Sequence, residues 1–524
     1  MKYLDQPYPI RSKDGAWLSM VTAGTLGENA KGSVNNTFVV RSTDKGRTWS
    51  APIQCSGAYS VPLRAPTGRI YAIRPPLSFT WSDDDGSTWS EPLAFPDEVA
   101  LVHGVRNGWS VSKPLVMGAG GKGTVYLSWA HIGRNGPPRD TEVFVYKSDN
   151  ILSEPDPHRI RWQRFPGGAS GLKGPDWNLP EHRSEEPHVV ALADSSLYMV
   201  WRTDQGYIGQ ATSRDGGNTW SQGSYLRYRT GGRRIKHPLA CPSLWKCANG
   251  KYLLWIHNNS GKTYADRNPA WICGGVESEG GIEWSEPEIL LYSPDLTNGS
   301  GRLSYPGFLE EDGRYWIFET EKTTARTHLL SASLLEAAWN QRSAKRPVRE
   351  GLVLSLAGSK LRGREQSMPL LPKLDEGGFS IVMQVRLQNL DAGQILVDTR
   401  NGNGSGIQIS TVDNEALRLE LNDGRTSFGW STDPGALQAN RKHHVTAIID
   451  GGPKVVSFVI DGTLCDGGAS RQFGWTHFPP ELSDVNGSSR VETAKSLRGE
   501  LDSLRIYGRH LLASEAIGNY AAGF

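Results

Sequence analysis

The sequence predicts an all-β chain: a six-bladed β-propeller, or seven-bladed if one copy of the pattern is lost, followed by a β-sandwich jelly roll. Three observations predict it. A turn-forming octapeptide recurs up to Trp220, a proline-led pair of strands recurs six times, and the pattern changes near residue 345. With 60 glycines, 31 prolines and 18 tryptophans in 524 residues, and little apolar periodicity of helical spacing, the composition suits short strands joined by tight turns.

The octapeptide is Ser-x-Asp-x-Gly-x-Thr-Trp, found at Ser42–Trp49, Ser82–Trp89 and Ser213–Trp220, with a degenerate copy at Glu283–Pro287. Its residue types describe a hairpin turn. The aspartate accepts hydrogen bonds from turn amides, the glycine takes a positive φ, and the tryptophan packs between neighbouring sheets. Asp44, Asp84 and Asp215 are therefore read as turn formers rather than catalytic groups.

The second repeat is a proline, a short strand, a Gly or Ser turn and an apolar strand, with copies beginning at Pro9, Pro62, Pro114, Pro187, Pro242 and Pro306. A four-stranded blade with its loops needs about 40 to 60 residues, and the wider intervals before Pro187 and Pro306 mark long loops of the kind that shape binding sites. Residues 1–345 are thus assigned to the propeller and 346–375, which begin in a polar, basic stretch, to a linker. Residues 376–524 form the second domain. Its strands, among them Phe379–Leu387, Leu417–Leu421, His444–Asp450 and Val455–Gly462, alternate apolar and polar residues as half-buried strands do.

Basic and acidic side chains number 57 and 55, so no global charge favours nucleic acid or an anionic membrane. No apolar stretch is long enough for a signal peptide or a membrane span, so no membrane insertion is expected and the compartment is left open. The five cysteines lack the paired short spacings of a zinc site, and their odd number excludes complete internal pairing; buried free thiols are expected. No cofactor is required by any motif, although either domain could hold a structural Ca²⁺ through scattered carboxylates and carbonyls. A monomer is expected.

In a propeller the innermost strand of each blade lines the central channel, so the starts of first strands and the ends of second strands meet on one face. The starts supply Lys113, Glu186 with His188, Lys236 with His237, and Arg302 with Tyr305; the ends supply Arg74, His131, Arg202, His257 and Glu319. This set is rich in cations in a nearly neutral protein, and guanidinium forks pair bidentately with carboxylates. An anionic oligosaccharide or polysaccharide is the expected partner. Trp129, Trp201 and Trp255, beside these ends, would either stack on sugar or fill the space between blades.

The octapeptides resemble the Asp-box, or BNR repeat, of sialidases and related propellers, over roughly residues 1–345. The closing stretch from Leu497 to Gly508, with Leu511–Ile517 after it, resembles the end of a laminin-G or concanavalin A-like jelly roll, a module that accompanies carbohydrate-active enzymes. Sialidases hold the substrate carboxylate with three arginines, attack with a tyrosine polarised by a glutamate, and protonate the leaving group with an aspartate. The resemblance implies that Tyr305 is the nucleophile, Glu186 its base, and Arg302 and Arg202 two of the arginines; Arg74, from the strand-end set, would join those arginines on the carboxylate. Two departures stand out. The family's first arginine opens an Arg-Ile-Pro motif, whereas this chain has Tyr8-Pro9-Ile10-Arg11, and the loop Thr25–Asn35 carries no aspartate.

The expected function is that of an exo-acting glycosidase on a sialic- or uronic-acid-containing glycan. Here Lys113, His131, Lys236 and His237 would help bind substrate, and His188 and His257 would transfer protons. Two alternatives are kept. Related propellers include polysaccharide lyases that abstract a proton beside a uronate carboxylate, which needs a cation and a neutral His or Tyr base. A non-catalytic glycan-binding protein is the other, since a fold does not fix a function.

Overall fold

The computed structural model describes residues 2–27, 31–118, 120–133, 140–179, 182–296, 302–358, 361 and 365–524. It divides into two compact units, Met1–Trp284 with Asp295–Leu335, and Ser285–Pro294 with Glu336–Phe524.

The first unit is a β-propeller of antiparallel sheets built from consecutive strands. The first sheet runs Tyr3–Arg11, Trp17–Gly24, Asn35–Ser42 and Ile53–Gly57; later sheets open on Val61–Arg64, Gly108–Trp109, Glu185–Ala191, Ser243–Lys246 and Ser304–Glu311. Trp129, Trp201 and Trp255 are fully buried, the first two within apolar clusters, so their indoles fill the core and do not stack on sugar. All five cysteines are buried free thiols.

The octapeptides fold as their residue types dictate. Asp44 Oδ1 accepts from Thr48 N at 2.9 Å and from Ser42 Oγ at 2.8 Å, while Gly46, at φ 82°, donates its N–H to Ser42 Oγ. Asp84 and Asp215 repeat the arrangement, and the indoles of Trp89 and Trp220 donate to Gly86 O and Gly217 O. Hydrogen bonds from Thr48 hold the Asp44 carboxyl down at about 2, as expected of an anion that caps a turn.

A shared irregularity shapes the inner strands of the first, fourth and sixth sheets. The register slips between Asp5 and Tyr8, between Glu185 and His188, and between Ser304 and Gly307. The residue inside each slip, Gln6, Glu186 or Tyr305, has φ of 53°, 55° or 51° and precedes a proline. Positive φ is uncommon for a non-glycine residue, and such bulges re-aim a side chain. The first copy of the proline repeat is therefore anchored at Pro7, two residues before the expected Pro9. Gly307 lies where the first and last inner strands pass, and a Cβ there would sit 2.2 Å from the Pro7 carbonyl oxygen.

Lys113 ties the same two strands, donating to Pro9 O at 3.0 Å and Phe308 O at 2.7 Å. Burial lowers its pKa to about 8. Lys113→Ala leaves two carbonyls without their charged donor and should destabilise the chain by about 2 kcal/mol, read from the denaturant midpoint.

The second unit is a β-sandwich. One sheet orders Leu352–Ala357, Gly499–Tyr507, Phe379–Leu387, Lys442–Asp450, Val455–Ile460 and Thr463–Leu464, with Thr476–His477 paired to Val455–Ile460; the other runs from Glu365–Ser367 through Arg490–Thr493, Ile395–Asp398, Gly406–Val412 and Ala416–Asn422 to Ser427–Ser431. A core that includes Phe379, Leu396, Leu419 and Leu504 lies between them. Residues 346–375, expected as a linker, thus contain two sandwich strands. The alternation Leu352-Val-Leu354-Ser-Leu356 carries that strand and lies just beyond the polar stretch that suggested a linker.

Within this unit Glu288 accepts from Ala513 N at 2.9 Å and Ser514 N at 2.6 Å, supplying the first amides of the helix Ala513–Ala521 with an acceptor. Burial raises the Glu288 pKa to about 7, above the unfolded value of about 4.3. The carboxyl's contribution to stability is therefore full below the unfolded value and is lost as pH rises through 7. Glu288→Gln should flatten the pH dependence of the unfolding temperature between about pH 5 and 8, measured by calorimetry.

Candidate active site

A cavity of about 450 Å³ opens at the propeller's channel, and its wall includes Tyr3, Asp5, Gln6, Glu185, Glu186, Arg202, Arg302 and Tyr305. The bulged residues Gln6, Glu186 and Tyr305 all reach it, so the three slips converge on one place. Tyr305 Oη donates to Glu186 Oε1 at 2.7 Å, and Arg202 Nη1 donates to Glu186 Oε2 at 3.0 Å. Arg202 Nε lies 3.9 Å from Glu185 Oε2. The side chains of Arg202, Glu185 and Glu186 are all almost fully buried.

Burial alone would push Glu186 up, but the Arg202 guanidinium and the Tyr305 hydroxyl together hold its carboxyl below the usual value. Burial, with the Glu186 charge added, pushes the Tyr305 phenol well above its ordinary pKa. At rest the dyad is a neutral phenol pointing its proton at a carboxylate. It can deliver a phenolate oxygen to an electron-poor carbon while Glu186 takes the proton.

Opposite stands a second ion pair. Lys322 Nζ is 3.0 Å from Asp5 Oδ2 and 4.8 Å from the Tyr305 ring centroid, and Asp5 also accepts the Tyr3 hydroxyl. By register Asp5-Gln6-Pro7 corresponds to Glu185-Glu186-Pro187 and Ser304-Tyr305-Pro306. An aspartate therefore stands first in the X-X-Pro triplet of the first inner strand. Of the loop after Thr25, Glu28, Asn29 and Ala30 lie outside the described residues.

The cavity gathers four of the sequence-predicted residues, Tyr305, Glu186, Arg202 and Arg302. The other eight are not among its lining; Glu319, for one, is paired with His328 at 3.0 Å. Arg74 turns to Pro75 O at 3.1 Å and against Gly57, and Lys113 is the strand tie described above. His131 bonds Val105 O at 3.1 Å; His188 Nδ1 accepts from Leu244 N at 3.3 Å, and its pKa falls to about 4 through burial. His237 and His257 stack with centroids 5.7 Å apart, His237 bonding Ala240 O and His257 facing Pro269 O. Burial lowers the pKa of both rings. Lys236 bridges to Tyr207 on the flank of the fourth sheet.

These displacements have a physical reason. The third inner strand breaks between Trp109 and Leu115, and the fifth does not begin until Ser243. Counting back from Pro114 or Pro242 therefore lands below or beside the cavity mouth. Asp5, Tyr3, Lys322 and Tyr264, whose hydroxyl accepts from Arg183 Nη1 at 3.0 Å, escaped the sequence reading. Only the X-X-Pro triplet at Asp5 offered a signal.

Residues 69–317 match the family model described as BNR repeat-like domain, and residues 364–516 match that of the concanavalin A-like lectin/glucanases superfamily. Two regions of the chain thus match in turn, the first a BNR repeat-like domain and the second a concanavalin A-like domain. No curated protein matches it. Among solved structures, the chain is similar to a Trypanosoma rangeli sialidase mutant displaying trans-sialidase activity, with 13% identity and a TM-score of 0.42 over 99% of this chain and 93% of that one. It is also similar to the NanB sialidase of Streptococcus pneumoniae, with 14% identity and a TM-score of 0.45 over 63% and 67% of the two chains. A Dyadobacter fermentans protein of unknown function aligns at 16% identity and a TM-score of 0.40 over 62% of this chain and 93% of its own.

Proposed function

We propose that this BNR-repeat propeller is a glycoside hydrolase that cleaves an anionic glycan from its end, with Tyr305 as nucleophile and Glu186 as its base. The observation that carries this reading is the 2.7 Å bond from the Tyr305 phenol to a carboxylate held ionised by Arg202. As the glycosidic bond lengthens, the anomeric carbon gains positive charge and the phenol oxygen attacks it, its proton passing to Glu186. A neutral nucleophile suits an anionic sugar ring, because it adds no like charge. Arg302 then supports the anionic substituent, the departing oxygen takes its proton from solvent water, and a second water cleaves the tyrosine–sugar bond as Glu186 returns the proton to Tyr305.

Asp5 in the Arg-Ile-Pro place favours a uronate over sialic acid, since one carboxylate-binding arginine is replaced by an anion paired with Lys322. The lyase alternative would rest on Tyr305 as base, because His131, His188 and His257 do not line the cavity.

The test is a screen of sialosides and uronate oligosaccharides with products weighed by mass spectrometry. Products that have gained one water support hydrolysis. Products of unsaturated sugar with no water gained would overturn it in favour of elimination, and binding without turnover would leave a glycan-binding protein.

A further inference from the structure

A larger cleft, about 650 Å³, lies at the outer strands of the fourth and fifth sheets and shares no lining residue with the catalytic cavity. Its chemistry comes from one hairpin, Leu226 to Ile235, which reads Arg227-Tyr-Arg229-Thr-Gly-Gly-Arg233-Arg234 between those ends. Ile235 N donates to Leu226 O at 2.9 Å and Tyr228 N to Arg233 O at 3.0 Å, with Arg227 opposite Arg234. Side chains alternate faces along a strand. Arg227, Arg229 and Arg234 line the cleft, while Arg233 lies 4.7 Å over the Tyr228 ring.

Two features separate this cluster from a solvated basic turn. Arg234 is positioned, its guanidinium 5.2 Å from the Tyr207 ring centroid and 4.9 Å from that of Tyr225. The charges are also uncompensated. Like charges directly opposite across a strand pair are destabilising, and the one carboxylate in the cleft wall, Asp176, is engaged by the Tyr225 hydroxyl. Among the described residues none of the three arginines forms a salt bridge. The amide of Gln222 and the hydroxyls of Ser224 and Thr230 complete a wall suited to sugar hydroxyls.

We propose that this cleft is a second, non-catalytic carbohydrate site that binds an anionic oligosaccharide through carboxylates or sulfates on Arg227, Arg229 and Arg234. A nucleic acid fits less well, because Arg234 occupies the Tyr207 and Tyr225 rings on which bases would stack.

The test uses fluorescently labelled trigalacturonate and a sulfated chondroitin tetrasaccharide, titrated by anisotropy at low salt. One protein is the full chain carrying Arg302→Gln, which weakens the catalytic cavity; the other adds Arg229→Gln and Arg234→Gln. At least one probe should bind the first protein and bind the second about tenfold more weakly, with affinity falling as salt is raised. Which probe binds separates carboxylate from sulfate recognition. If the triple variant loses its folded circular dichroism, adding Arg229→Gln alone serves, since that side chain is exposed and glutamine keeps its stem. Binding of neither probe, equal binding by both proteins, or tighter binding of an oligothymidylate than of either saccharide would overturn the proposal. None of these outcomes depends on turnover.

Discussion

Tyr305→Phe should reduce hydrolysis of the preferred glycan by about a thousandfold or more while leaving the unfolding temperature within a degree or two, because the ring stays and only the attacking oxygen goes. Glu186→Gln should match it in rate but not in stability, since the amide keeps the bond to Tyr305 while the Arg202 charge loses its partner. The two changes together should cost little more than either alone, as expected of groups that act as a unit. The measurement is kcat/KM on the glycan found by the product screen, with calorimetry on the same preparations. If Tyr305→Phe retained a tenth of the activity, the phenol would not be the nucleophile.

Arg202→Met should give the largest loss of stability, about 3 to 5 kcal/mol. Removing the guanidinium leaves Glu185 and Glu186 buried without their principal cation, and the desolvation that Arg202 offsets is then uncompensated. The sign with pH is fixed. In the wild type the depressed Glu186 carboxyl contributes stability above the unfolded value of about 4.3, and this is lost as pH falls through its folded pKa. In the variant the Glu186 carboxyl, left to burial alone, shifts upward, so the deficit relative to wild type should be greatest near neutral pH and shrink as the pH approaches 4. Chemical denaturation at several pH values reads this directly, and a deficit independent of pH would show that Arg202 acts through packing alone.

Much of the fold was legible because its signals are local. A Ser-x-Asp-x-Gly-x-Thr-Trp turn satisfies its own hydrogen bonds, so its chemistry can be read without knowing the neighbouring sheets. The site was legible where a proline marks the bulge itself, at Glu186-Pro187 and Tyr305-Pro306, and where a strand ends beside it, at Arg202. Elsewhere the proline stands at another height, and Lys113 became a tie between strands instead of a ligand. The histidines misled for a different reason. A ring that finds a backbone partner, as His131 does at Val105 O and His237 at Ala240 O, is a satisfied interior group, and sequence does not distinguish it from a proton donor facing a channel. Asp5 and Lys322 sit over three hundred positions apart and meet only when the first and last sheets close on each other.

The three slips before proline divide the work of change between backbone and loops. Each crossing point is pinned locally, by a left-handed residue and the fixed ring that follows it, so a connection can grow or shrink without dragging the reacting oxygen with it. The long excursions that precede Pro187 and Pro306 are free to be rewritten for a new sugar or linkage. Glu186 and Tyr305 would keep their separation through such remodelling, so a glycosidase of the proposed kind would change its preferred sugar while its chemistry stayed the same.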